Sequence, residues 1–314
     1  IYSPKSYAIL SAGDISLSQV GDLSIRGHMS ANSLVYGDEG TGNVTLDLSN
    51  TTGNVFSGSV IKNYDVDKDT VDEAHNAGLF IETAGSIHVG IDNTLSSAGA
   101  EALLIANGVS DFSGTDRSLY FSSQLYSDLT TTNGAIYLKG EGVYQVSGIN
   151  IAEISAGSQR IIVDGGEEDI YLGGRLTTTH DDTDGPAVLL RNANDVSITG
   201  VSNSKNGTLQ IGTPKSGGSA ADVTGDVSQL SQTGNGISVN TISAYTGGDI
   251  TITSTQNNFD HTGTIELGGK LNVQSDFGGL SLLGDITATE VRLAAGGSAL
   301  ALDDYNVTTS LGAG

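Results

Sequence analysis

The chain of 314 residues carries 13 Lys and Arg against 36 Asp and Glu, a formal charge of −23 that argues against nucleic acid phosphates and anionic membranes as partners. The absence of Cys excludes disulfides and thiolate metal sites, and no apolar run approaches the roughly 18 residues that a membrane-spanning helix requires. With 44 Gly, only 3 Pro and 5% aromatic residues, the composition suits corners of Gly, Asn, Asp and Ser around a narrow aliphatic interior.

Taken in order, the first predicted strands are Gly13-Asp14-Ile15-Ser16-Leu17 and Gly21-Asp22-Leu23-Ser24-Ile25. In each, a turn residue and a polar residue precede two aliphatic positions that flank a polar one. Such alternation places the aliphatic pair on one face, and a strand this short cannot bury that face alone, so stacking of strands is implied. Loops are expected near 37–42 and over the acidic stretch 65–76, where Val71 to Ala77 has room for one helical turn. The strands Leu79–Ile81 and Ile87–Val89 follow, with an echo in Ala102–Ala106. The stretch 110–132, which holds Phe112, Tyr120, Phe121 and Tyr126, reads as a loop, either an outward hairpin or a local hydrophobic pack. Loops are also expected at 180–184 and 202–233.

The segment Leu79 to Val89 matches Val188 to Ile198 class for class at an offset of 109, and an acidic stretch precedes each copy. Loops leaving equivalent corners would project from one flank. Late in the chain Gly236, Gly248, Gly263 and Gly279 fall 12, 15 and 16 residues apart, which reads as two strand units per coil. At roughly 20 to 25 residues per coil the chain would supply about 13 or 14 coils. With strands about 4.8 Å apart, these would make a rod roughly 60 to 70 Å long. The expected fold is all-β, a right-handed parallel β-helix with loop insertions, running as one elongated domain over residues 1–314. The variable spacing argues against the left-handed hexapeptide form. A chain that begins at Ile1 is expected to be part of a longer secreted protein.

Two stretches resemble a known family. Gly247-Gly248-Asp249-Ile250-Thr251-Ile252, with Asn257 to Leu267 and Gly284 to Gly297, resembles the repeats of filamentous-haemagglutinin-like exoproteins, and Ala77 to Gly108 resembles autotransporter passenger repeats. The resemblance to these secreted β-helical adhesins of Gram-negative bacteria implies export, a cell-surface location, and a role in adhesion, biofilm or self-association.

Catalysis is not expected. Polysaccharide hydrolysis needs two carboxylates at a set separation, and lyase chemistry needs a calcium cluster beside a basic residue. The adjacent pairs Asp181-Asp182 and Asp303-Asp304 come nearest, but strand neighbours point to opposite faces. His28, His75, His88, His180 and His261 show no metal-ligand spacing. The one metal candidate is a calcium site from Asp65, Asp67, Asp69 and Asp72, whose alternating carboxylates supply oxygen ligands. Lys68 opposes it, and an acidic loop in so acidic a chain also reads as solvated surface. His180 to Asp184 is a weaker second candidate, Glu167-Glu168-Asp169 reads as corner decoration, and the four Asn-x-Ser/Thr sequons are assigned no function. The expected function is a non-enzymatic structural or adhesive stalk whose partner is a second copy, a surface receptor or a glycan. The alternatives are a carbohydrate-binding or polysaccharide-cleaving β-helix, and a calcium-ordered surface layer.

Overall fold

The computed structural model describes residues 7–17, 22–26, 28–36, 43–47, 54–66, 72–89, 94–107, 110–111, 116–117, 119–121, 128–145, 153–205, 207–214, 221–229, 237–239, 241–254, 259–261, 263–275, 280–282, 284–295, 300–302 and 307–309. Among them every regular element is a β-strand. Most strands are three to six residues long because Gly, Asn or Asp interrupts the aliphatic alternation after one or two inward positions.

The strands stack in parallel ladders that the chain visits in a fixed order. The first ladder is a path of twelve strands from Asp14–Leu17 to Val307–Thr309. In it Ile136 pairs with Ile161, Ile161 with Val188, and Val188 with Leu209. A second ladder runs from Leu23–Arg26 to Glu290–Ala295, and a third from Tyr7–Leu10 to Ile237–Ser238. The long strands Ile170–Thr178 and Val196–Asn203 pass through both and join them into one sheet of 18 strands. The register shifts between Leu172 and Arg175, where the buried Gly173 and Gly174 let the strand change direction without side chains to place. Later, a separate parallel ladder of Phe259–His261, Leu280–Leu282 and Leu300–Leu302 occupies the third ladder's place in the order.

A circuit of the chain therefore contains three strands, where the sequence reading counted two. The third is short and lacks the Gly-Asp signature, as in Phe259–His261. Among the described residues the first ladder contains twelve stacked strands. Long stretches of chain separate some adjacent rungs: Leu34 pairs with Leu79, Ala102 with Ile136, and Leu209 with Ile242.

Inward positions build one continuous core. Leu34, Leu79, Ala102, Ile136, Ile161 and Val188 form a single fully buried column, and Val44, Ile87, Leu119, Val143, Ile170 and Val196 form another. Each buried Val, Leu or Ile side chain in these columns contributes roughly 1.5 to 3 kcal/mol.

Several expected loops contain strands. Glu73–Thr83 is one strand of 11 residues, so no helical turn forms over the described residues 72–77. Leu119–Phe121 and Asp128–Thr131 lie within 110–132 and belong to the second and third ladders. Thr208–Ile211 and Val227–Gln229 lie within 202–233. The expected loop at 37–42 lies outside the described residues.

Candidate functional site: the outer faces of the ladders

One outer face is apolar and covered. Phe80, Leu103, Tyr137, Ile162 and Leu189 are register partners on the outward side of the first ladder, where alternation would place polar residues. Their cover is a strap. Val60–Tyr64 pairs antiparallel with Glu73–Ala77, and the chain between them lays Tyr64 and Val66 over this stripe. Polar contacts fasten it: Lys139 Nζ donates to the Tyr64 hydroxyl at 3.2 Å, and the Arg191 guanidinium donates to the Val66 carbonyl. Arg191 is itself held by the buried Asp164, at 3.3 Å. Burial, with the Glu82, Asp164 and Asp65 carboxylates, drives the Tyr64 phenol pKa up, so it stays protonated.

His75 pins the other side of the strap. Its Nδ1 lies 3.0 Å from Glu101 Oε2, and its Nε2 lies 3.2 Å from the Tyr64 carbonyl. Burial disfavours the imidazolium, but the hydrogen bond and charge of Glu101, the Tyr64 carbonyl and the Glu73 carboxylate outweigh it and raise the pKa.

Two of the four proposed calcium ligands, Asp65 and Asp72, fall among the described residues of this strap. Asp65 is half-buried and Asp72 exposed, on either side of the tip, while Asp67 and Asp69 lie outside the described residues. Among the described residues no three His, Cys, Asp or Glu side chains gather closely enough to hold a metal ion.

The acidic residues that open the second ladder form a corner column. The Asp169 carboxylate accepts the Asp195 backbone N–H at 3.1 Å, Asp195 that of Asp226 at 2.7 Å, Asp226 that of Asp249 at 2.7 Å, and Asp249 that of Lys270 at 2.7 Å. Asp169, read from sequence as decoration, is thus a structural acceptor. Asp182 acts likewise in the His180 to Asp184 segment, which is a corner rather than part of a strand. From a left-handed backbone (φ 64°) its carboxylate accepts the N–H groups of Ala187 at 2.8 Å and Thr208 at 2.9 Å. Asp181 beside it is exposed, so the pair makes no joint site, and Asp303-Asp304 lies outside the described residues.

The second ladder also carries an aromatic stack. His88, Tyr120, Tyr144 and Tyr171 are successive register partners on its outward side. Ring centroids are 5.2, 5.4 and 4.3 Å apart, and the Tyr120–Tyr144 and Tyr144–Tyr171 planes differ by only 14° and 19°. The rings thus lie on one another, and each such pair adds roughly 0.5 to 1.5 kcal/mol of rung-to-rung cohesion. Of the aromatic cluster expected in 110–132, Tyr120 joins this stack and Phe121 is buried in the core, while Phe112 and Tyr126 lie outside the described residues.

Further along the same outward column, a groove of about 240 Å³ crosses the strands Ile250–Ser254, Lys270–Ser275 and Glu290–Ala295. Thr251, Asn272 and Arg292 line one side and Thr253, Gln274 and Ala294 the other. Ile252, Val273 and the partly buried Leu293, which alternate with them along the strands, complete the lining. A comparison of the chain with protein-family models, curated proteins and solved structures found no match.

Proposed function

We propose that the parallel ladders close into a right-handed β-helix, and that this helix is a non-enzymatic structural and adhesive element of a secreted or outer-membrane-associated bacterial surface protein. The observation that supports this reading most is the stacking of like on like between rungs: carboxylate on backbone along Asp169, Asp195, Asp226 and Asp249, and ring on ring along Tyr120, Tyr144 and Tyr171. Side chains that elsewhere would converge on a reacting group are used here to hold successive strands together, which favours a stiff, protease-resistant shaft. Adhesion, biofilm formation or self-association then takes place along its walls or by end-to-end stacking of copies.

Negative-stain electron microscopy at several concentrations, paired with binding of the purified chain to bacterial and host cell surfaces, tests this reading. Filaments a few nanometres wide support self-association, and saturable cell binding supports adhesion. Single rods with no cell binding would overturn both. Release of cleaved products from a polysaccharide panel would overturn the non-enzymatic part.

A further inference from the structure

We propose that the groove across Ile250–Ser254, Lys270–Ser275 and Glu290–Ala295 binds a neutral glycan chain lying along the stacking direction, a proposal that rests on the adhesive reading and names its ligand. The groove is built from three successive rungs, so its long dimension crosses the strands and repeats with the rung spacing of about 4.8 Å. That spacing is close to the length of one pyranose residue in an extended chain. Its walls present the groups that bond sugar hydroxyls: the Thr251 and Thr253 hydroxyls, the Asn272 and Gln274 amides and the Arg292 guanidinium. Ile252, Val273 and Leu293 complete its lining between these polar groups.

Other ligand classes fit less well. A peptide adding as a strand would extend the edge at Glu290–Ala295, where the sheet's described pairings end, and would not lie across the three rungs, since Ile250–Ser254 is paired with Leu271–Ser275 and Lys270–Ser275 with Glu290–Ala295. An anionic polymer needs uncompensated cations. Arg292 Nε is 2.5 Å from Glu290 Oε1 and Lys270 Nζ 3.3 Å from Glu290 Oε2, and the chain as a whole carries −23. A compact aromatic ligand would want an enclosed pocket with ring partners, whereas these walls are aliphatic and polar and the groove lies open on an outer face. The column continues toward the aromatic stack, since Thr251 pairs with Ser228, Ser228 with Ser197, and Ser197 with Tyr171. A longer glycan would follow hydroxyl-bearing side chains from the groove to a tyrosine.

The test uses the full chain and a calorimetric titration series of neutral linear gluco- and manno-oligosaccharides of increasing length, with hyaluronan as a polyanionic control. Affinity is expected to rise with chain length until the oligosaccharide spans the groove, with hyaluronan bound at least tenfold more weakly. The variant Thr251→Ala/Asn272→Ala should lose at least tenfold in affinity while its circular dichroism and melting temperature stay those of the parent. No binding of any neutral oligosaccharide, unchanged binding by the folded variant, or preference for hyaluronan would each overturn the proposal. Cell binding measured on the same variant separates the two readings. Cell binding that survives in a variant with unchanged sugar affinity removes the groove and leaves adhesion standing, whereas a parent chain that binds no cell surface removes adhesion itself.

Discussion

The Asp195 carboxylate accepts the backbone N–H of Asp226, one rung further along, at 2.7 Å. The same relation repeats from Asp226 to Asp249 and from Asp249 to Lys270, so each carboxylate is satisfied by the strand stacked on it. Two carboxylates one rung apart, about 4.8 Å, repel by roughly 1 kcal/mol in water, whereas a hydrogen bond to a charged acceptor contributes about 1.5 to 3 kcal/mol. The bond wins, which explains why a strongly acidic chain places Asp at the same corner again and again.

The charge strengthens the bond by about as much as the neighbouring carboxylates repel it, so what this corner requires is an acceptor oxygen. Replacing Asp195→Asn keeps the oxygen and removes repulsion, so urea unfolding should shift by less than about 0.5 kcal/mol, while Asp195→Ala should cost about 1 kcal/mol. Equal losses from both variants would show that charge is what the corner requires.

The strap is fastened by a charge pair that is mostly removed from water. Arg191→Met leaves Asp164, which is 4% exposed, without its cation and releases the Val66 carbonyl. The expected cost is about 3 to 5 kcal/mol, the usual result of breaking one side of a buried pair. Adding Asp164→Asn should recover most of it, because the amide still accepts from the Gly166 N–H and carries no charge. Thermal or urea melts of the single and double variants decide the matter. A double variant no more stable than Arg191→Met would show that the salt bridge is not the fastening.

The rungs are legible in the sequence because inward residues such as Ile87, Val196 and Ile250 alternate with polar ones, and because a Gly or Asn followed by Ser or Asp marks the corner before each. The match between Leu79–Val89 and Val188–Ile198 was legible for the same reason, since Leu79 and Val188 lie in one ladder and Ile87 and Val196 in another. The strap was not. Its signal is the unbroken apolar runs around Phe80, Leu103, Ile162 and Leu189, which put hydrophobic groups on both faces, yet nothing local says that the cover comes from Tyr64 and Val66. The contact between Arg191 and Val66 spans 125 positions. The tyrosine stack was hidden because the insertion between Val89 and Leu119 conceals that His88 and Tyr120 share a register.

Strap docking should depend on pH through His75. Its folded-state pKa lies above the 6.5 of the free side chain, since Glu101, the Tyr64 carbonyl and Glu73 outweigh burial. The contribution of the imidazolium is therefore fully present below pH 6.5 and is lost as the pH rises through the raised folded value. Urea midpoints should fall over that window in the parent chain, and the fall should be shallower in Glu101→Gln. Identical pH slopes in the two proteins would remove His75 as the titrating latch.

Gln145 is the least expected member of the core. It is fully buried in a column between its register partners Phe121 and Leu172, and neither amide atom has a hydrogen-bond partner among the described residues. An amide buried without a partner costs roughly 1 to 3 kcal/mol, and Leu fills a similar volume without that cost. Gln145→Leu should therefore raise the unfolding free energy by about 1 kcal/mol or more. A loss of stability would instead show that the amide is bonded in solution. In that case Gln145 is retained for its hydrogen bonds, and Gln145→Met, equally apolar and unbranched, should be destabilised to the same extent.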